Sequence, residues 1–349
     1  MSFRILSLVG GGLRGAFAIG LLAEFEKQLE HPIGNYFDLI AGTSTGSITA
    51  CALCHGMTAK QIEDFYHEYS EGIFKPRSEY IPKTVLKPVY GMIKRLLAKR
   101  SINLDHFFQS RYCPHSLTSA LTAGFGDVRL EELSHSRLLV PTVNLTDGRT
   151  RVFRTPHLPR TRETDSWRVV DVIVASAAAP TYFPHKRMPD GKAYVDGGLW
   201  AIDPGFAALS EAVRITEQCR RMEDKPFNIQ DVWMLSLGTG QSTYSLSPPE
   251  SDAGMLFWGQ HVAEVMSISQ VQGTQLPLRF VLEDRYCQFD FELTDPSWTL
   301  DNTEVTEQLF QLGRQRGKEV FPEVRDTFFA ETTHPFVPYR GDEETVSCH

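Results

Sequence analysis

Twice near its start the chain passes from a short apolar run through a glycine turn into a helix-compatible stretch. "FRILSLVGGGLRG" leads into residues 16–28, and "YFDLIAGTSTG" leads into "GSITACALCHG". Strand, tight turn and helix repeated in that order predict right-handed crossovers and parallel strands, which confines the chain to the α/β class. The runs "RLLVPTVNL", "TRVFRT", "KAYVDGG" and "VWMLSLGTG" are short, apolar or β-branched and closed by turn residues, so they extend the sheet. "GFAALSEAVRITEQCRRM", "HVAEVMSISQVQ" and "NTEVTEQLFQLGRQRG" read as helices, the first with Asp203 as its N-cap and Pro204 at its first position. At 349 residues, a single unit around one sheet is expected.

Composition narrows the function more than the fold. A net charge of -8 with 22% charged residues gives no general footing for a nucleic acid polymer. No apolar run reaches the length of a membrane span, and the opening run Ile5 to Val9 is too short for a signal-peptide core, so a cytoplasmic protein is expected. The six cysteines show no paired framework; Cys51 and Cys54 lie in an apolar helical stretch and read as packing thiols rather than a redox pair.

The chemistry lies in three glycine-bordered turns. Gly10, Gly12 and Gly15 match the G-x-G-x-x-G spacing of a dinucleotide turn, but the same backbone can cradle the oxyanion of acyl transfer. The second turn, Gly42-Thr43-Ser44-Thr45-Gly46, is G-x-S-x-G, in which glycines let a strand turn sharply and expose the serine at a helix N-terminus. The third turn puts Asp196 at the end of a strand, followed by Gly197 and Gly198, and places a carboxylate at the carboxyl edge of the sheet beside Ser44. An oxidoreductase would need an acidic residue at the end of its second strand, where this chain has Gly42-Thr43-Ser44. His55, His67 and His106 have no partner motif, which argues against a Ser-His-Asp triad.

"GGGLRG", "GTSTG" and "DGG", with "ASAAAPTYFP", "LSLGTG" and "LDNTEVTEQLFQLG" around them, resemble the patatin-like phospholipase family over roughly residues 3–317. The resemblance implies a three-layer α/β/α fold with a mostly parallel central sheet and a lid-like helical insertion. It implies a lipid acyl hydrolase that cleaves carboxylic esters of membrane phospholipids through an acyl-enzyme. Ser44 is then the nucleophile, Asp196 the base, and the N-H groups of Gly11, Gly12, Leu13 and Arg14 the oxyanion hole. No cofactor and no metal are required. One departure is visible: the family often has Asn-Asn-Pro where this chain has Ile202-Asp203-Pro204.

The expected organisation is one hydrolase domain over residues 1–331, with a basic insertion at 72–115 and a flexible tail at 332–349. Between Lys75 and Arg100 the charge reverses, with eight Lys or Arg and one acid. Lys94, Arg95, Lys99 and Arg100 fall beside an apolar stripe, which suits contact with anionic lipid at the inner face of the membrane. The compact length and "GMLFWGQHVAEVMSISQ" also resemble patatin-like effectors of bacterial anti-phage systems. That likeness implies activation by a cyclic dinucleotide or trinucleotide, for which the same basic residues offer phosphate contacts. The alternatives are a constitutive hydrolase, an acyltransferase and a non-catalytic lipid-binding module.

Overall fold

The computed structural model describes residues 2–76, 110–158, 166–221, 228–242, 253–295 and 297–339. The central strand β1 (Phe3–Leu8) is buried throughout and pairs in parallel with β2 (Leu39–Gly42) on one side and β7 (Val232–Leu237) on the other. Beyond β7 lies parallel β9 (Tyr286–Phe289); beyond β2 lies parallel β3 (Arg137–Asn144). Three short strands run against this direction: β4 (Arg149–Arg154) and β6 (Ala193–Asp196) pair antiparallel with β3, and β5 (Lys186–Arg187) pairs antiparallel with β6. The sheet is therefore mixed but mostly parallel. A separate pair joins β8 (Gln241–Ser242) to β10 (Glu292–Leu293).

Side chains alternate across a strand, and β1 shows how that builds three layers. Leu6 and Leu8 enter one core, with α1 (Ala16–Glu26), α2 (Thr45–Cys54), α3 (Ala59–Ile73), α4 (Pro114–Phe125), α5 (Val169–Ser176) and α8 (Thr306–Phe328). Phe3 and Ile5 enter the other, under α6 (Gly205–Arg221) and the end of α7 (Met255–Leu282). α1 and α8 approach so closely that a Cβ on Gly313 would stand 2.0 Å from the Phe17 carbonyl oxygen, and one on Gly20 would stand 2.3 Å from that of Phe310.

The turns that carry Ser44 and Asp196 meet because of the length of β3. The hairpin partner β4 covers one edge of β3 from Leu139 to Asn144, so β2 and β6 must share the other edge. β2 pairs with the first residues of β3 up to Leu139, and β6 pairs with the last, placing Asp196 opposite Thr142. The two strands point their carboxyl ends at each other along one edge. Asp196 thus reaches the edge expected from the sequence, but on an antiparallel strand.

Two expectations change, and a third lies mostly outside the described residues. The C-terminal stretch is docked at least to Tyr339: Thr333 donates from its amide to the Asn35 carbonyl, Phe336 is buried, and the Tyr339 amide donates to the Pro156 carbonyl. Its polar composition conceals one aromatic anchor. Cys219 is disulfide-bonded, against the expected absence of pairing, whereas Cys51 and Cys54 are free and fully buried, with burial pushing both thiols up. The insertion at 72–115 falls mainly on residues 77–109, so Lys94, Arg95, Lys99, Arg100 and His106 lie outside the described residues.

Candidate active site

Ser44 sits between β2 and α2 with φ 55 and ψ -123, a conformation costly for a residue with a Cβ, at the N-terminus of a buried helix. The glycines flanking it have no room for side chains: a Cβ on Gly42 would stand 2.1 Å from the Gly46 carbonyl oxygen, and one on Gly46 would stand 2.3 Å from that of Leu8. The Ser44 amide donates to Ser176 Oγ at 3.1 Å, and Ser176 in turn donates to the Pro141 carbonyl at 2.8 Å. Ser176 lies in the "ASAAAP" segment that sequence reasoning quoted without assigning a role. It holds the strained turn to β3 at the point where β2 gives way to β6.

Asp196 is 4% exposed. Burial pushes its carboxyl up to about 6, opposed by hydrogen bonds from the Gly198 amide, at 2.7 Å, and from the Ser44 side chain. A desolvated carboxylate is a stronger base than an exposed one. No histidine among the described residues lines the surrounding cavity. His67 lies against Phe310 near Glu307, and His55 packs near Phe125 on the surface.

The first glycine turn lies across from Ser44. Gly12 has φ +59, and Gly11 is pressed against Thr239, whose hydroxyl donates to the Gly10 carbonyl at 3.0 Å. Gly15 opens α1, with Thr45 and Tyr66 at contact distance. Only part of the expected donor set is open. The Leu13 amide donates to the Leu300 carbonyl at 2.8 Å, and the Arg14 amide turns back to the Gly11 carbonyl at 3.3 Å. A tight helical turn over Gly12–Gly15 accounts for the second bond. Among the described residues, the amides of Gly11 and Gly12 have no hydrogen-bond partner. They stand at a helix N-terminus, where partial positive charge favours an anion. The Arg14 side chain lines the cavity; burial lowers its pKa, against the nearby charge of Asp290.

Asp203, expected as a helix cap, does cap α6: its Oδ1 accepts from the Gly205 amide at 2.9 Å. The same oxygen accepts from Ser7 Oγ on β1 at 3.0 Å, and Gln275 of α7 reaches Oδ2 at 3.5 Å. The residue at the visible departure from the family pattern thus ties the central strand to two helices. All of these turns open into one cavity of about 1030 Å³, walled by Ile48, Phe65, Phe74, Phe183 and Trp298 and rimmed by α7. Such a space suits an acyl chain. Among the described residues no group of three His, Cys, Asp or Glu side chains could hold a metal ion, and no helix is long and apolar enough to cross a membrane.

The sequence profile of the family described as patatin-like phospholipase matches residues 6–204. Three curated relatives are each called a cGAMP-activated phospholipase. The one from Vibrio cholerae serotype O1 is 36% identical over 278 residues, covering 76% of this chain and 72% of the relative. The one from Pseudomonas aeruginosa is 31% identical over 294 residues, covering 84% and 79%. The one from Escherichia coli is 34% identical over 255 residues, covering 70% of this chain and 64% of the relative.

Proposed function

The chain belongs to the patatin-like phospholipase family, and on that premise we propose that it hydrolyses membrane phospholipids through Ser44 and Asp196. Ser44 Oγ forms a bond to the ester carbonyl carbon as its proton passes to the Asp196 carboxylate. The oxyanion so formed is held by the amides of Gly11 and Gly12 and by the dipole of α1. Losing one such donor typically costs about 3 kcal/mol in the barrier. Collapse of the intermediate expels the lysolipid alkoxide, which takes the proton from Asp196 and leaves the acyl group on Ser44. Water then attacks the acyl-enzyme, gives a proton to Asp196 and releases the fatty acid, and the proton returns to Ser44 Oγ. Arg14, at the cavity wall, supplies positive charge for the lipid phosphate. The observation that carries this reading is a serine on a strained turn whose side chain acts on a buried carboxylate, in an apolar cavity and opposite two amides that have no partner among the described residues.

The same family reading extends to control. The relatives' shared name supports a cyclic dinucleotide, cGAMP, as the activator of this chain, acting in the cytoplasm at the inner face of the membrane. The Leu300 carbonyl occupies the Leu13 amide of this loop, so a regulated enzyme would have one bond to open before Leu13 could join Gly11 and Gly12. The test is hydrolysis of a fluorogenic phospholipid by wild-type and Ser44→Ala protein, with and without cGAMP. Activity that needs both Ser44 and the nucleotide supports the whole reading. Full activity without nucleotide leaves a constitutive hydrolase, and activity retained in Ser44→Ala removes the mechanism.

A further inference from the structure

α7 is unusual for a helix that faces water. Its 28 residues include two charged side chains, Glu264 and Arg279, while Met255, Trp258, Val262, Met266, Leu276 and Phe280 are all exposed. At about 100° per residue these six fall within roughly 80° of the helix circumference and form one outward apolar stripe in two stretches. Ser269 and Gly273, exposed and uncharged, fill the gap in its middle. The opposite side of the helix carries Gln275, Leu278 and Leu282, which are buried against the sheet. An outward apolar stripe of this length marks an interaction surface.

We propose that this stripe is the surface by which the protein docks on a lipid bilayer, an inference that rests on the phospholipase reading. Two observations select that occupant. The stripe is continuous with the site: Val262 and Met266 belong to it and also line the mouth of the cavity that holds Ser44 and Asp196. A lipid leaving a membrane against α7 would therefore enter without crossing water. The stripe also lacks the flanking charges that fix register and partner in a helix pair. Tryptophan, methionine and phenylalanine along an uncharged stripe suit the acyl and headgroup boundary, where apolar burial supplies the binding. The docking so described is not electrostatic, unlike contact through the basic residues at 94–100.

The experiment measures flotation of Ser44→Ala protein, which cannot digest the vesicles, with pure phosphatidylcholine vesicles, with and without cGAMP. Binding is expected to persist at about 1 M salt, where the Debye length is about 3 Å. Adding W258S and F280S is expected to lower partitioning at least about tenfold, because two large apolar side chains no longer leave water. The same pair in the wild-type background is expected to leave hydrolysis of a small soluble ester unchanged, since neither residue lines the cavity. The proposal is overturned if W258S/F280S binds as well as its parent, or if binding needs anionic lipid and disappears in salt. It is equally overturned if the double variant only converts a dimer to a monomer by sedimentation, which would assign the stripe to a second copy. Wild-type protein that floats with vesicles but releases no fatty acid would instead end the phospholipase reading and leave the docking surface standing.

Discussion

At the scale of single residues, the proposed base is shaped by its surroundings. Asp196 is desolvated, so its folded value lies near 6, above the ordinary value of 3.8. The proposed attack by Ser44 would require the carboxylate, so kcat/KM on a soluble ester is expected to fall below pH about 6, with a plateau above. Folding stability has the opposite sign. A raised carboxyl favours the folded state fully below the unfolded value and loses that benefit as pH rises through the folded one. Ionised Asp196 therefore costs about 3 kcal/mol at pH 8. Asp196→Asn should be inactive yet more stable than wild type at pH 8, with the gain shrinking toward pH 4 in thermal unfolding. A gain that does not depend on pH would remove Asp196 as its source. The turns that hold Ser44, Asp196 and their glycines were legible in the sequence, because the proposed chemistry needs tight turns. Ser176 and Leu300 were not, because they act through a hydroxyl to an amide and through a bare carbonyl, contacts that leave no residue pattern.

At the scale of elements, local patterning located strands and helices more readily than it oriented them. The run "KAYVDGG" announced a strand ending in Asp196, but nothing in it distinguishes parallel from antiparallel pairing. That choice is made by β3, which is long enough to accept β2 on its first half and β6 on its second. Asp203 was read as a cap from its place before Pro204, whereas its bond to Ser7 depends on a strand almost two hundred residues earlier in the chain. The helices on the face of the sheet opposite α6 depend on a different kind of fit. Gly313 has no room for even a methyl group, because the Phe17 carbonyl of α1 occupies that space. Gly313→Ala is expected to destabilise the protein by about 1–3 kcal/mol through overpacking of α1 against α8, despite the better helix propensity of alanine. Denaturant unfolding checks this, and an unchanged or raised midpoint would mean that the helices can separate without cost.

At the scale of the molecule, two cores flank one sheet, and the cavity opens at the sheet's edge with Ile48, Phe65 and Phe183 of one core in its wall. Composition suggested a soft tail after residue 331, yet Arg4 of β1 donates to the Phe328 and Glu331 carbonyls and Phe336 fills a buried place. A buried guanidinium that donates to carbonyls more than three hundred residues away is a long-range contact that no local window contains. The chemistry proposed needs only a serine, a carboxylate and amides, so excess chelator is expected to leave phospholipid hydrolysis unchanged. Inhibition reversed by calcium would contradict that mechanism.

The Leu300 carbonyl has a further consequence in time. Because it belongs to the same chain, dilution cannot remove it from the Leu13 amide, and its release is a local opening rather than a dissociation. The Leu13 amide should therefore exchange its hydrogen for deuterium slowly in the resting protein and faster once an activator has opened the site. Measured beside product formation, that single amide is a clock for the opening step. Unchanged exchange while hydrolysis rises would mean that Gly11 and Gly12 hold the oxyanion alone, with Leu300 still in place.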